Sequence, residues 1–320
     1  MDKFLLETKG LNLFLKSRNG NYQFLRDINL KINKGECVAV VGESGSGKTL
    51  LSHSLIRLNP KNSVISGEIL FHKENFLEFS NKRIREIRGN TIGMVFQEPY
   101  TCFNPVYTIG QQMKETLKCH KKLTNDEIYK IQIDVLEKLS FWDPEKILDM
   151  YPHQFSGGMI QRAMIAQCLM LKPKLLIADE PATALDITTQ KHILELLQKL
   201  INDEKMALLL ITHNFGIIHD ITSWVYVMYA GSIVEEGPTE DLIRNPLHPY
   251  TKGLLKAIPS LLKEGEELVS IPGLPPEPGY EMKECPFLRR CNYKKDICSE
   301  KFPELKGHGK ERKIRCFFYE

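Results

Sequence analysis

The fold is decided by the stretch Gly42-Glu43-Ser44-Gly45-Ser46-Gly47-Lys48-Thr49, which matches the pattern Gly-x-x-x-x-Gly-Lys-[Ser/Thr] in full. The apolar run Cys37–Val41 before it predicts a buried strand, and Lys48–Leu58 after it can form a helix. Glycines let the backbone curl so that its N–H groups point at phosphate oxygens, and a helix N-terminus adds partial positive charge. The sequence therefore predicts a nucleotide site in which Lys48 reaches the β- and γ-phosphates and the Thr49 hydroxyl binds Mg²⁺.

A second part of such a site follows 130 residues later along the chain, where the run Leu175–Ala178 ends in two adjacent carboxylates, Asp179 and Glu180. Side chains alternate along an extended segment, so the two carboxylates can take different roles. We expect Asp179 to bind Mg²⁺ through water and Glu180 to orient or deprotonate the attacking water. Phosphoryl transfer depends mostly on positioning and charge neutralisation, and these two roles supply part of both.

Composition is that of an ordinary globular protein. The chain has 320 residues, of which 42% are hydrophobic and 26% charged, and its net charge is +3. No run approaches the ~18 apolar residues that a transmembrane helix needs, which argues against a membrane-spanning subunit. The nearly balanced charge argues against a nucleic-acid-binding protein, which usually shows a strong basic excess.

Apolar runs alternate with helical segments along the chain, which predicts an α/β fold with a mainly parallel sheet. Residues 100–170 form a predicted helical insert, and Trp224–Tyr229 with Ser232–Glu236 form a predicted hairpin. From about residue 259 prolines become frequent, which indicates a loop or linker. We therefore expect an ATP-binding domain over residues 1–258 and a C-terminal extension over 259–320.

The segment Phe155-Ser156-Gly157-Gly158-Met159, placed between the phosphate loop and Asp179, resembles the signature motif of ABC-type ATPases. A turn of small residues at a helix start can bind phosphate through backbone N–H groups. The resemblance implies that Ser156, Gly157, Gly158 and Met159 cap the γ-phosphate bound by the other subunit of a head-to-tail ATPase dimer. It also implies the family's fold, in which an antiparallel N-terminal β subdomain accompanies the parallel-sheet core.

Three further segments are similar to motifs of the same family. Phe96-Gln97-Glu98-Pro99 resembles the loop whose glutamine contacts Mg²⁺ and the attacking water, and which couples to the membrane partner. Ala184-Leu185-Asp186 resembles the loop that contacts the opposite subunit. Ile211-Thr212-His213-Asn214 resembles the switch whose histidine contacts the γ-phosphate. The resemblance therefore implies that Gln97, Glu180 and His213 are catalytic, and that Gln97 joins Thr49 and Asp179 around Mg²⁺.

The segments Gln97–Gly110, Tyr151–Met159 and His248–Thr251 are similar to the dipeptide/oligopeptide permease branch of that family. This resemblance implies an importer subunit at the cytoplasmic face of the membrane. Its implied partners are a second ATPase subunit, two transmembrane permeases and, indirectly, an extracytoplasmic substrate-binding protein, with no nucleic acid. A nickel or metal-chelate importer is the alternative within transport, and an ABC ATPase acting on DNA or ribosomes is the alternative outside it.

The residue that stacks on adenine is expected near the first strands. Tyr22 is the candidate and Phe14 the alternative, because the loop Ser17–Asn21 leaves the correspondence with the family open. Either ring can also belong to the core.

Four of the eight cysteines, Cys285, Cys291, Cys298 and Cys316, lie in the last 36 residues. The N-terminus lacks the features of a signal peptide, so we expect a cytosolic chain with reduced cysteines unless they are ligated. Four thiolates suit Zn²⁺ or an iron–sulfur cluster, although no C-x2-C spacing is present. The tail resembles the C-terminal extension of peptide-importer ATPases, and this resemblance implies a [4Fe–4S] cluster on these cysteines. Unligated thiols remain the other interpretation.

Overall fold

A computed structural model of the chain describes residues 4–18, 20–182, 186–258, 270–277, 279 and 283–319. The folded chain divides into two compact units. The first unit combines Met1–Glu78 with Leu209–Glu320, and the second unit is Phe79–Leu208. The predicted domain boundary after residue 258 is a different division and stays a prediction.

The first unit contains most of the strands and, among the described residues, four α-helices. The strands are β1 (Phe4–Ser17), β2 (Gly20–Ile28), β3 (Lys31–Asn33), β4 (Cys37–Val41), β5 (Ser63–Phe71), β6 (Glu74–Asn75), β10 (Trp224–Tyr229), β11 (Ser232–Pro238), β12 (Lys306–His308) and β13 (Arg312–Ile314). The helices are α1 (Lys48–Leu55), α8 (Thr239–Arg244) and α9 (Pro249–Lys256), with the short α10 (Ile297–Glu300) in the extension.

An antiparallel sheet forms the N-terminal part of the first unit, in the order β2-β1-β5-β6 with β3 on β1. Leu6, and Leu11 with Leu13 beyond the register shift between Lys9 and Asn12, are fully buried. The extra residue at the shift keeps these leucines in step with the alternation of a half-buried strand. The antiparallel β subdomain that the family resemblance implies is therefore present.

A second, mixed sheet in this unit has the order β12-β13-β11-β10-β4. β4 and β10 are parallel, with Val38 opposite Trp224, whereas β10 and β11 form the predicted antiparallel hairpin. The terminal pair β12–β13 adds to β11 through Glu235 and Ile314. Sequence analysis did not predict this pair because its strands are three residues long and lie in a charged segment.

The second unit is mainly helical. Its helices are α2 (Asn81–Ile87), α3 (Ile109–His120), α4 (Asn125–Lys138), α5 (Pro144–Asp149), α6 (Gly157–Leu169) and α7 (Ile187–Glu204). Its strands β7 (Ile92–Val95) and β8 (Leu175–Asp179) are parallel neighbours. The chain crosses from this unit to the first within β9 (Ala207–Thr212). Helices α3 to α6 lie within the stretch 100–170 for which a helical insert is predicted.

Helix starts in this unit follow the local chemistry of the chain. Thr108 and Thr124 form capping boxes with Gln111 and Glu127 at the starts of α3 and α4.

In the described part of the chain, none of the helices has the length and apolar character needed to cross a membrane.

Candidate functional site

The phosphate loop of the first unit joins β4 to α1. Gly45 and Gly47 have φ angles of +79° and +102°, a left-handed backbone that glycine adopts without steric cost. Gly47 is the N-cap residue of α1, so the helix begins with Lys48. The local backbone is thus the tight turn into a helix N-terminus that the sequence predicts.

Gly42 is required for the close approach of the loop to β10. A Cβ atom at this position would lie 2.2 Å from the backbone oxygen of Met228. The loop is also tied to the neighbouring turn by a hydrogen bond from Gly231 N to Ser46 O, at 2.9 Å. The first glycine of the motif therefore serves packing as well as loop geometry.

Lys48 is buried, with 5% of its surface exposed. Its Nζ donates hydrogen bonds to the carbonyl oxygens of Gly42 at 2.8 Å and Glu43 at 2.9 Å. The ammonium group is therefore held over the first turn of the loop by backbone acceptors. Thr49, whose hydroxyl is the expected Mg²⁺ ligand, is exposed at the start of the helix.

Glu43, the second residue of the loop, is held on both its backbone and its side chain. Its N–H donates to the hydroxyl of Tyr250 at 2.7 Å. Its carboxylate accepts two hydrogen bonds from Arg290, at 2.7 and 2.9 Å, in a two-pronged ion pair. Arg290 lies among basic residues between the tail cysteines, a position typical of charge balance for a cluster or of a solvated face. Instead its side chain is only 4% exposed and pairs with the phosphate loop.

Tyr22 lies in β2 opposite Leu15, and 39% of its surface is exposed. The backbone of Gly279, in the C-terminal extension, lies close to Tyr22, because a Cβ on that glycine would lie 2.7 Å from the Cβ of Tyr22. Phe14 is the neighbour of Gln23 in the same hairpin and is partly buried. Of the two residues, Tyr22 is the more exposed.

His213 follows β9 in the first unit and is exposed. The turn after it is fixed by two side-chain hydrogen bonds: Asn214 N donates to Thr212 Oγ1 at 3.0 Å, and Gly216 N donates to Asn214 Oδ1 at 2.8 Å. The histidine is therefore presented at a strand end, as expected.

In the second unit, β8 ends with the two predicted carboxylates. Asp179 is 1% exposed, and Glu180 takes the unusual φ of +47°. A non-glycine residue with positive φ is strained, and such residues cluster at functional sites. The amide of Gln97 donates to Glu180 Oε2 at 3.3 Å, so the structure brings together two residues 83 positions apart that the sequence assigned to one water molecule.

The signature segment forms the start of α6 in the same unit. Ser156 caps the helix by accepting a hydrogen bond from Met159 N at 3.3 Å. A Cβ on Gly158 would lie 2.8 Å from Thr189 Cγ2 of α7, so the small residue lets the two helix starts approach. Gly157 and Gly158 leave backbone N–H groups accessible at a helix N-terminus, which is an anion-binding arrangement.

The predicted contact loop Ala184-Leu185-Asp186 lies partly outside the described residues, which include only Asp186 of the three. Asp186 caps α7 by accepting a hydrogen bond from Thr189 N at 2.9 Å. This bond lowers the pKa of the Asp186 carboxyl, so the residue is an anion at neutral pH.

The four tail cysteines lie within electrostatic range of one another. Burial, together with proximity to the other three thiols, raises the pKa of Cys285 to about 12. Burial also raises the pKa of Cys316 to about 11 and that of Cys291. Among the described residues, which include all four cysteines, no group of three or more histidine, cysteine, aspartate and glutamate side chains is placed to hold a metal ion. The predicted iron–sulfur cluster is not supported by this arrangement.

Family models match two parts of the chain. The model described as "ABC transporter" matches residues 25–183, and that described as "Oligopeptide/dipeptide transporter, C-terminal region" matches residues 234–298. The first match contains the phosphate loop, the signature segment and the carboxylates of β8. The second contains Tyr250, Arg290 and three of the four tail cysteines.

Curated relatives match along nearly the whole chain. The oligopeptide transport ATP-binding protein OppD of Bacillus subtilis is 42% identical over 94% of this chain and 85% of its own length. The dipeptide transport ATP-binding protein DppD of the same organism is 39% identical, over 99% of this chain and 95% of its own. A putative peptide import ATP-binding protein of Brucella melitensis is 40% identical over 99% and 97%.

Solved structures agree with the fold. CbiO1 of Clostridium perfringens, part of an ABC transporter complex, superimposes with a TM-score of 0.65 at 28% identity, covering 76% of this chain and 92% of that one. The dimeric bacterial ABC transporter cassette MJ0796 gives a TM-score of 0.66 at 25% identity, covering 73% and 98%.

Proposed function

We propose, because this chain belongs to the ATP-binding subunits of the ABC oligopeptide and dipeptide transporters, that it binds Mg-ATP and hydrolyses it to drive peptide uptake. Family membership is shown by relatives 39–42% identical along nearly the full chain and by the two family matches. The ATP-hydrolysing class of the protein follows from that membership. The observation that carries the proposal is a complete phosphate loop in a chain that also contains the Gln97–Glu180 hydrogen bond.

The roles of individual residues are part of this proposal. The loop Gly42–Thr49 binds the phosphates, with Lys48 on the β- and γ-phosphates, and Tyr22 stacks on adenine. Glu180 acts as the general base towards water that Gln97 helps to orient, since the two side chains share a hydrogen bond. His213 contacts the γ-phosphate from the end of β9.

Mg²⁺ fits the proposed donors, because it takes hard oxygen ligands. Thr49 offers a hydroxyl, Gln97 an amide oxygen and Asp179 a carboxylate that is 1% exposed at the end of a strand. A bound Mg²⁺ neutralises charge on the phosphates. A buried carboxylate at this strand end is suited to act through water on the ion.

Substituting the proposed base tests this assignment. The variant Glu180→Gln is expected to bind ATP but to hydrolyse it at least about 100-fold more slowly, the usual contribution of a general base. Lys48→Ala is expected to lose ATP affinity. Glu145→Gln, which changes a carboxylate in α5, serves as the control and should hydrolyse normally. Undiminished turnover by Glu180→Gln refutes the role of Glu180.

We also propose that the chain works with a second ATPase subunit, because the signature residues Ser156–Met159 would serve the partner's nucleotide. The permeases would hold it at the cytoplasmic face of the membrane. The adjacent residues Val106 and Tyr107 are 70% and 50% exposed. They support a docking role, because large exposed apolar side chains mark interaction sites when they cluster.

A pull-down of the tagged chain from detergent-solubilised membranes tests the partners. We expect two multi-span permeases and a second ATPase by mass spectrometry, and a binding protein that identifies the substrate as peptide. A nickel-binding protein in that fraction would favour the metal-importer alternative. Recovery of nucleic acid or ribosomes would leave the ATPase chemistry intact and overturn the transport function.

An iron–sulfur cluster on the extension, residues 259–320, is a further part of the proposal. A [4Fe–4S] cluster takes four cysteine thiolates, and each iron needs only one of them. Backbone N–H groups point at the sulfur atoms, as with Tyr293 N to Cys291 Sγ at 3.3 Å and Lys295 N to Cys298 Sγ at 3.5 Å. Such bonds favour thiolates, whereas burial raises the pKa values of Cys285, Cys291 and Cys316. The proposal therefore depends on the similarity of the tail to the C-terminal extension of peptide-importer ATPases.

Anaerobic preparations decide this point. We expect iron, acid-labile sulfide and visible absorbance in the wild type, and their loss in Cys298→Ser. Cys119→Ser, which changes an exposed cysteine outside the extension, is the matched control. Absence of all three signals from the wild type overturns the cluster.

A further inference from the structure

The C-terminal extension contacts the phosphate loop through one buried side chain, Arg290. Its guanidinium donates to both carboxylate oxygens of Glu43, at 2.7 and 2.9 Å. Its Nε donates to the carbonyl of Pro272 at 2.9 Å, and its other nitrogens reach the hydroxyl of Tyr229 at 3.3 Å and the carbonyl of Ile271 at 3.4 Å. A planar guanidinium with this many partners has one orientation, so it holds Glu43 in one place.

Aromatic packing fixes the base of this contact. The ring of Phe287 packs edge-on against Tyr229 with centroids 5.4 Å apart, and against Tyr250 at 5.6 Å. Tyr250 in turn accepts the N–H of Glu43 at 2.7 Å. The second residue of the phosphate loop is therefore held by its backbone and by its side chain, from two directions.

Charge gives the contact a second consequence. A carboxylate in the phosphate loop lies beside the place where a triphosphate binds, and like charges at short distance repel. The Arg290 guanidinium neutralises Glu43, so the loop meets the phosphates without an uncompensated negative charge.

The extension approaches the nucleotide-binding elements at another point. Gly279 forms an antiparallel bridge with Gln23 of β2, next to Tyr22. A Cβ on Gly279 would lie 2.7 Å from the Cβ of Tyr22, so the two backbones are in close contact. The phosphate loop and the proposed adenine platform thus both contact the extension.

We propose that the C-terminal extension is a working part of the nucleotide site and that Arg290 is a positioning residue for ATP binding, acting through Glu43. The proposal rests on ATP binding at Gly42–Thr49. It assigns the extension a role in nucleotide affinity that is separate from any metal on its cysteines. Arg290 acts on the loop, while the chemical step belongs to other residues, so the effect falls on the KM for ATP and leaves kcat unchanged.

Equilibrium ATP binding and steady-state hydrolysis test the proposal in single and double variants. Arg290→Ala is expected to raise the Kd for ATP about 10-fold, within the usual range of coupling between sites, and to leave kcat at saturating ATP near the wild-type value. Arg290→Lys keeps the charge but loses the two-pronged geometry, so its increase should be smaller. Arg289→Ala, which changes the exposed neighbouring arginine, should bind ATP as the wild type does.

The double variant separates charge compensation from mere support of the fold. Glu43→Gln removes the carboxylate that Arg290 neutralises, so Glu43→Gln/Arg290→Ala should bind ATP more tightly than Arg290→Ala alone. A purely structural role predicts instead that the double variant binds ATP no more tightly than Arg290→Ala alone, because the ion pair is already broken in the single variant. A double variant that binds ATP no more tightly than Arg290→Ala, or a wild-type Kd in folded Arg290→Ala, overturns the proposal.

Two controls keep the outcome decisive. Thermal unfolding reports whether Arg290→Ala folds. If it does not, the comparison of Arg290→Gln with Glu43→Gln/Arg290→Gln carries the same test, because glutamine removes the charge and keeps a side-chain hydrogen-bond donor. Lys48→Ala reports on the premise. If Lys48→Ala binds ATP normally, the nucleotide assignment of the loop fails; if only Lys48→Ala loses affinity, the premise stands and the role of Arg290 fails.

Discussion

At the scale of single residues, the glycines of the phosphate loop have two roles. Gly45 and Gly47 adopt a left-handed backbone, and Gly42 lets the loop pack closely against Met228. Gly42→Ala places a Cβ 2.2 Å from the backbone oxygen of Met228, which only a backbone shift can relieve. We expect a loss of about 1–3 kcal/mol in the free energy of unfolding, the usual cost of overpacking, together with weaker ATP binding. Urea unfolding followed by circular dichroism measures the first effect.

Gly307→Ala is the matched control for this substitution. A Cβ on Gly307 would meet no atom within 4 Å, so its unfolding free energy should stay within about 0.5 kcal/mol of the wild type, as for ordinary surface changes. Equal losses in the two variants would mean that the contact with Met228 carries no special cost.

Motifs and contacts differ in how well sequence predicts them. The roles expected of Lys48 and Thr49 depend on a local spacing that forces a turn into a helix, so a pattern of eight residues is enough to find them. Arg290 pairs with Glu43 across 247 positions, and nothing local in either segment predicts the pair. The only signal was a run of basic residues between cysteines, which is more typical of a solvated face.

At the scale of elements, the signature serine has two roles that can be measured apart. Ser156→Ala removes the cap of α6 and is expected to lower the free energy of unfolding by about 0.5–2 kcal/mol. It should also lower ATPase activity beyond what lost stability explains, because Ser156 is a proposed ligand of the partner's nucleotide. Chemical unfolding and steady-state turnover of each variant measure the two effects.

Thr124→Ala provides the comparison, since Thr124 caps α4 in the same unit and has no proposed nucleotide contact. It should cost similar stability and leave turnover unchanged once the folded fraction is matched. A parallel loss of activity in both variants would indicate that Ser156 acts through the helix alone.

His248, the N-cap residue of α9, is a buried titratable group, and its backbone N–H donates to Glu235 of β11. Burial lowers the pKa of His248 to about 3, while in the unfolded chain it stays near 6.5. The unfolded state therefore binds the proton first as the pH falls, and the contribution of this neutral histidine to stability is complete above pH 6.5. Between about pH 6.5 and pH 3, this contribution to the free energy of unfolding falls by at most about 1.4 kcal/mol for each pH unit.

Urea unfolding of the wild type and of His248→Asn at pH 7.5, 6.0 and 5.0 tests this expectation. Asparagine keeps a side-chain acceptor for the N–H of Tyr250 but does not titrate in this range. The wild type should lose more stability than the variant between pH 6 and 5. Equal slopes would show that His248 is not responsible.

At the scale of the whole molecule, the elements that local pattern predicts best are those with long periodic segments. The hairpin was expected over Trp224–Tyr229 and Ser232–Glu236, and the structure has it at β10 (Trp224–Tyr229) and β11 (Ser232–Pro238). The pair β12–β13 could not be predicted, because its three-residue strands are stabilised by pairing with β11. The grouping of the extension with the phosphate loop in one unit depends on such distant contacts, which no local composition reveals.

The whole chain contains one phosphate loop and one signature segment, and this sets how its activity depends on concentration. If each catalytic site takes its phosphate loop from one subunit and its signature from another, a lone subunit cannot turn over ATP. Below the dissociation constant of the dimer, mass action makes the dimeric fraction rise with protein concentration. The ATPase rate per chain should therefore rise in proportion to concentration and level off once the dimer is saturated. A dilution series of the purified chain at fixed Mg-ATP measures this, with Lys48→Ala as the inactive baseline. A rate per chain that stays constant across the series would mean that one subunit builds a complete site, and the role proposed for Ser156–Met159 would be wrong.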